Sequence, residues 1–530
     1  MRRRDFIAVA AAGVAATHAW SQGSTPQASR TTLKRIVASE LTSLDPQRPT
    51  GVVTTEMAAE LFEGLAAFDA AGRVVPGAAS GWRTSDDGLR WTFTLRTGLR
   101  WSDGAELTSR DFLFALRRYV IPTTGVSLAS RLDGIRNARD TRMARVSIDK
   151  FGVSAPDART IVIDLVHPEP QLPALLTLVY CVPFHTAASN EREWARPERL
   201  VCNGPYRLVS WAPGAKLVKL VRNERYRDAA QVAIERVEWL TGYDATARMR
   251  LFRLGECEIT PVEDATSFAT ARRDFAASLH SAPAAAMGWI GLNLRRKPLD
   301  DVRVRQALTL ALDRAVLAGK VRALDDRPTD SLLPGGLSDQ PRPQLPAHAS
   351  WPMPQRLARA RELMRQAGFS AAKRPRLGVG FAVPNPASQR FFLAVAAMWR
   401  AIDVDVELQP LEGRAYNAAL QRAEFDVFSF NNGASVPLAT FFLDRFESES
   451  SINYCGYRNA EFDRLFAAAR RESTAEAVAR LLAAAERILL RDAPVIALYA
   501  GVSHRLVAPR VRGWVDHPGP LRSSRFLSLS

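Results

Sequence analysis

Two spacings of apolar residues run through this chain, the two-residue period of strands and the three-to-four-residue period of helices. Trp91-Thr92-Phe93-Thr94-Leu95 is aromatic and β-branched and predicts a strand. Gly98 and Asp103-Gly104 predict turns on either side of Trp101. Thr108 followed by Asp111 predicts a helix start, because a hydroxyl and a nearby carboxylate satisfy the free N–H groups of a first turn. That helix is expected to run toward Tyr119, with Phe112, Leu116 and Tyr119 on one face.

Further along, Val304, Leu308, Ala311, Leu312, Ala315 and Val316 recur at helical spacing. Leu357, Ala360, Met364 and Ala367 predict another helix, which Gly368 is placed to end. A strand around Leu377–Phe381, a helix around Gln389–Arg400 and the alternating strand Val404-Asp405-Val406-Glu407-Leu408 follow in order. Strand, helix and strand in that succession predict a βαβ unit and locally parallel sheet. The Pro-rich stretch Leu333–Pro354 is expected to be a surface loop, and no internal repeat is present. The pattern as a whole is α/β.

Length adds that one core is not enough. At 530 residues the chain exceeds a typical domain, and 47% hydrophobic residues can fill several cores. The N-terminus reads as an address: Met1–Asp5 is MRRRD, followed by the apolar run Phe6–Ala16 and the small-residue stretch to Ala19. Arg3-Arg4-Asp5-Phe6-Ile7 fits a twin-arginine export signal, with an ordinary secretory signal as the alternative. Residues 1–29 are therefore expected to be signal peptide and tail, and the mature protein to be periplasmic. That apolar run is shorter than a bilayer span, and no cysteine beside it offers a lipid anchor.

A net charge of +16 raises the question of nucleic acid. Only seven of the 71 basic residues are lysine, however, and the arginines are scattered without a run of five like charges. No nucleic-acid partner is expected. The four cysteines, Cys181, Cys202, Cys257 and Cys455, lack metal-knuckle spacing. They leave disulfides and buried free thiols equally open. Enzyme motifs are missing too: no G-x-S-x-G, no H-E-x-x-H, no phosphate loop, and no histidine pair at helical ligand spacing. No catalytic residue, metal ligand or cofactor is assigned.

Four blocks then carry a resemblance. They are Leu61–Tyr119, with LFEGL, D-x-x-G-x-V-x-P-G-A-A and WTFTLRTGLRWSDGAELTSRDFLFALRRY; NGPYRL at Asn203–Leu208; DDVRVRQALTLALDR at Asp300–Arg314; and DAPVIALY at Asp492–Tyr499. In this order they resemble the extracytoplasmic solute-binding proteins of peptide ABC importers, the oligopeptide/dipeptide-binding family. The resemblance implies a two-lobed periplasmic-binding-protein fold with an extra accessory domain, of the cluster C type. It implies a first lobe from 30–76, 197–293 and 496–530, an accessory domain over 77–196 and a second lobe over 294–495. It further implies a monomer that closes on a peptide or other small solute and delivers it to an inner-membrane ABC permease.

The binding residues it implies are Thr50, Gly51 and Val52 ahead of the LFEGL helix; Trp289, which takes the place of a pocket tyrosine; and Asn431, Asn432, Gly433 and Ser435 in FDVFSFNNGASVP (Phe425–Pro437). Each has a plainer reading: a helix-entry loop for the first three, core packing for Trp289, a turn at Gly433. Relatives carry an aspartate at the position of Gly433, where it pairs with the peptide ammonium. They also carry an arginine and a tryptophan where this chain has Ser429 and Asn431 or Asn432. A buried ammonium without an anion is costly. So either another carboxylate serves here, or the solute has no free amine at that place. Asn431, Asn432 and Ser435 suit neutral hydrogen bonding. A disulfide that some relatives form at the positions of Ala286 and Asn432 is expected to be absent. Opines, oligosaccharides and metal chelates stay open as solutes, as do a periplasmic hydrolase and a ligand-sensing protein as other classes.

Overall fold

The computed structural model describes residues 31–48, 52–124, 126, 129–185, 194–337, 339, 342–383, 385–472, 474–519 and 521–530. Nineteen strands follow one another along it. The opening of the chain holds β1 (Thr32–Ile36), β2 (Ala66–Phe68), β3 (Val74–Pro76), β4 (Ala79–Thr84) and β5 (Arg90–Leu95). Next come β6 (Val153–Asp157), β7 (Thr160–Asp164), β8 (Tyr206–Ser210), β9 (Leu217–Arg222), β10 (Arg236–Leu240) and β11 (Ile259–Val262). The long β12 (Leu279–Leu292) leads to β13 (Arg327–Pro328), β14 (Arg376–Val383), β15 (Asp405–Glu412) and β16 (Val427–Gly433). A second long strand, β17 (Val495–Val507), precedes the short β18 (Val511–Arg512) and β19 (Ser528–Leu529).

One sheet of eleven strands runs through the molecule in the order β15-β14-β16-β12-β17-β11-β1-β10-β9-β8, with β13 on β17. Parallel pairs sit in each half: β1 with β10 and β11, and β14 with β15 and β16. The halves meet at the antiparallel pair β12·β17, whose register slips between Pro283 and Met287. The lower part of β12 (Ala286–Leu292) pairs with β16, while the far part of β17 (His504–Val507) pairs with β11. Two adjacent strands thus connect the halves. A separate antiparallel sheet, β4-β5-β7-β6, packs the tryptophan-rich segment.

Alternation along β12 separates two cores. Met287 and Trp289 belong to the largest apolar cluster, whereas Ile290 and Leu292 face the cluster built on helices 302–310, 353–366 and 386–400. Within that second cluster the predicted βαβ unit is present, β14 pairing in parallel with β15 from Arg376↔Asp405 to Val383↔Glu412. Gly368 ends its helix at φ +84°. Thr108 caps the helix Ser109–Val120 as expected, Asp111 accepting from the Thr108 N–H at 2.8 Å.

Two expectations need amending. The run 304–316 is not one helix: it stops at Leu310 and restarts at Arg314, where Asp313 caps the Val316 N–H at 3.0 Å, and Ala315 is exposed. The Pro-rich stretch from Leu333 is not merely surface. Leu333 and Leu337 are buried, and Glu486 anchors the stretch by accepting from Leu332 and Gln344 N–H groups at 3.0 and 3.1 Å. NGPY is structural, as its glycine explains. A Cβ on Gly204 would lie 2.5 Å from the backbone of Phe62, and the Asn203 side chain holds Glu63 through both its backbone groups, at 3.1 and 2.9 Å.

Candidate ligand-binding site

Pairing of β12 with β16 places Trp289 opposite Phe430, Gly288 opposite Asn431, Met287 opposite Asn432 and Ala286 opposite Gly433. Four of the expected residues therefore share one strand pair, and Ser435 follows two residues beyond it, half-buried. Thr50 and Gly51 lie outside the described residues. Val52 opens the helix Val52–Leu61 and is 65% exposed.

Gly433 is not a turn glycine. It ends β16 without a positive φ, and a Cβ there would meet nothing nearer than the Ala285 carbonyl oxygen at 4.0 Å. Neither backbone nor space demands glycine, so a side chain would fit where this chain has none. Trp289 is 2% exposed and walled by aromatic rings: Phe430 at 5.7 Å, Phe446 at 5.7 Å and Phe442 at 6.3 Å between centroids. The neighbouring Gly291 leaves room for the Phe428 ring, which a Cβ would strike at 2.1 Å. Where polar recognition is expected, the strand pair carries an aromatic enclosure.

Sequence reasoning passed over the charged group in it. Arg445, on the short helical stretch Asp444–Phe446, lies over Phe430 at 5.0 Å and over Trp289 at 5.8 Å. Burial presses its guanidinium down to about 10. The available signal was the FFLDRF run (Phe441–Phe446), where one arginine interrupts aromatics at helical spacing.

Beside this enclosure the segment 130–175 faces 438–470 across a cavity of about 570 Å³ lined by Arg131, Glu169, Phe441, Asp444, Glu447 and Arg470, among others. Arg131 pairs with Asp444 at 3.2 Å and stacks on Phe441 at 3.9 Å, and Arg470 reaches Glu169 at 3.5 Å and Glu447 at 3.7 Å. Desolvation raises the Glu447 carboxyl to about 7 against the pull of Arg470.

All four cysteines are free and buried, so no Cys181–Cys202 bridge forms. Burial pushes each thiol up to about 12. Among the described residues no group of three or more His, Cys, Asp or Glu side chains could hold a metal, and no helix is long and apolar enough to cross a membrane.

Two α/β halves joined through adjacent strands, with a separate small antiparallel sheet beside them, are the architecture of a solute-binding protein of the periplasmic type. The model of the bacterial extracellular solute-binding proteins, family 5 (middle part), matches residues 73–454, and this chain belongs to that family. It is 31% identical over 483 residues to the probable deoxycholate-binding periplasmic protein YgiS of Escherichia coli, covering 90% of this chain and 89% of that one. Its structure is similar to the Haemophilus influenzae OppA complex with RPPGFSPFR: TM-score 0.85, 29% identity, 94% of this chain and 99% of that one. The unliganded open form of the periplasmic murein tripeptide-binding protein MppA fits less closely, at TM-score 0.76 with 28% identity over 95% and 98% of the chains. The family binds solutes and is not one of enzymes.

Proposed function

We propose that this protein binds short peptides or peptide-like solutes between its lobes and hands them to an inner-membrane ABC permease. The observation that carries the reading is the β12·β16 pair, which brings Trp289, Asn431, Asn432 and Gly433 together where the two halves of the molecule join. The closer likeness to a peptide complex than to an open form supports it, since closure adds contacts that the open state lacks. The lobes are 30–76 with 197–293 and 496–530, and 294–495; 77–196 is the accessory domain. Thr50, Gly51, Val52 and Ser435 complete the binding set. The protein works as a monomer, without nucleic acid, exported on the twin-arginine signal at its N-terminus.

A second reading is favoured by Gly433, where space for a carboxylate is left unused. On that reading the solute is not a free-amine peptide but an amphipathic acid such as deoxycholate, an opine, an oligosaccharide or a metal chelate. Native mass spectrometry of protein purified gently from periplasm separates the two. A ladder of peptide masses carries the first reading; a single non-peptide mass overturns it in favour of the second.

A further inference from the structure

The Pro-rich stretch, which the binding reading leaves unused, walls one side of a second cavity. About 430 Å³ lies between the helices Val302–Leu310, Met353–Gln366 and Ala475–Asp492 and residues 345–351 of that stretch. Such a volume falls in the range of small-molecule sites. None of its lining residues belongs to β12, β16 or the segments 130–175 and 438–470. Leu310, Leu345, Trp351, Leu363 and Leu490 make its wall apolar. Leu345 is 63% exposed there, and among the described large apolar side chains only Val52 is more so.

Six polar side chains complete the lining, Gln306, Thr309, His348, Arg359, Arg487 and Arg491, and no carboxylate is among them. Three are occupied within the protein. The Gln306 amide donates to the Arg491 carbonyl oxygen at 2.8 Å, the Thr309 hydroxyl donates to the Arg305 carbonyl oxygen at 2.9 Å, and His348 lies 3.4 Å from Asp330. Helix C-termini would repel an anion, yet the Asp492 carbonyl oxygen is already taken by Arg305 at 2.6 and 2.9 Å, as that of Arg491 is by Gln306. Arg491 pairs with Asp492 at 2.8 Å. Arg359 and Arg487 are left over. Arg487 donates to the neutral Gln344 Oε1 at 2.8 Å and has no carboxylate partner among the described residues. Arg359 makes no hydrogen bond or ion pair among them, since Glu362, one turn on, is paired with Arg365. Both guanidinium groups are exposed, so they stand in water without cost and are free to take an anion.

We propose that this groove binds a straight-chain acyl carboxylate, with its chain on the leucine wall and its acid group at the arginine rim. It is a second site, beyond the interlobe reading above. The occupant follows from complementarity: the wall suits a hydrocarbon body, and a rim with cations and no carboxylate suits an acid. Because the Gln306 and Thr309 donors are spent internally, the ring hydroxyls of a sterol acid would find no donor there, whereas a plain chain needs none.

Calorimetric titration of the whole protein with dodecanoate, deoxycholate and the neutral dodecyl maltoside, each below its micelle concentration, tests the site with and without saturating trialanine. A diazirine-bearing dodecanoate then locates the chain by photo-crosslinking and peptide mass spectrometry. Wild type should bind dodecanoate roughly fivefold or more tightly than the maltoside. Trialanine should leave that affinity unchanged, and adducts should fall on residues 345–351, 359–363 and 487–491. The double variant Arg359→Gln, Arg487→Gln should lose the preference and keep its unfolding temperature, because both side chains are exposed. Leu345→Asp, equally exposed, should weaken dodecanoate further by setting an acid at the groove. No dodecanoate binding, equal affinity for the maltoside, tighter binding of deoxycholate, adducts elsewhere or wild-type behaviour of the double variant overturns the proposal. Displacement by trialanine overturns it too, by putting the chain in the peptide site. Failure of trialanine to bind, with dodecanoate still on the groove, overturns the peptide reading and leaves the second site standing.

Discussion

Asp330 shows how much one side chain holds in this arginine-rich chain. It accepts from Arg314 and Arg356 at 2.9 and 2.8 Å, and although burial works against it, its partners, with His348 first among them, hold its carboxyl down to about 2. Because the folded value lies below the unfolded 3.8, the stability it contributes is present above that pH and lost as pH falls toward 2. Asp330→Asn leaves two buried guanidinium groups unpaired, and urea unfolding at pH 7 is expected to show a loss of about 3–5 kcal/mol. Glu447 behaves oppositely. Its folded value of about 7 exceeds the ordinary 4.5, so the folded state takes up a proton in that window which the unfolded chain does not. Stability should therefore fall as pH rises from 4.5 to 7, and Glu447→Gln should flatten that slope in a pH series of unfolding temperatures; Arg470, Asp444, Asp463 and Asp133 are the charges that act on it. Gly433→Asp is expected to leave unfolding unchanged within about 0.5 kcal/mol, since the site has room. It should also tighten trialanine relative to N-acetyl-trialanine, which calorimetry reads directly. Of these residues Gly433 was legible in the sequence as a departure from a pattern. Arg445 and Asp330 were not, because a scattered arginine looks the same in sequence whether it ends in water or beneath an aromatic ring.

Elements were more legible than contacts. The parallel pair β14·β15 and the capped helix after Thr108 follow from local periodicity and one hydroxyl, both of which act over a few residues. The helix expected over 304–316 breaks because Asp313 competes for backbone N–H groups, an effect that apolar spacing does not register. Nothing local could bring segment 130–175 against 438–470, which meet through Arg131–Asp444 and Glu169–Arg470. If these ion pairs hold segment 130–175 on segment 438–470 while a solute is bound, Arg131→Ala and Asp444→Ala should each speed dissociation of a bound peptide, measured by stopped flow. Their double-mutant cycle should return a coupling of about 0.5–3 kcal/mol. Additive effects would mean the two residues act separately.

At the scale of the whole molecule, the division into discontinuous lobes is an implication of the resemblance alone; no periodicity tells that β1 will lie between β10 and β11. Hinge closure predicts a smaller radius of gyration by X-ray scattering with saturating solute than without it, and an unchanged value would count against movement of the lobes. The strand order has one more consequence. β11 leans on β17, and Arg35 of β1 reaches Ser524 and the Arg522 carbonyl oxygen. A ribosome that has delivered β1, β10 and β11 has still to make more than two hundred residues before their last neighbour exists. The half of the sheet built on β1, β10 and β11 must therefore wait, incomplete, until β17 is made, and the apolar cluster around β14 waits for Ile496 and Leu498 of that same strand. Both halves are thus completed by one late strand, and neither has its full set of neighbours before it.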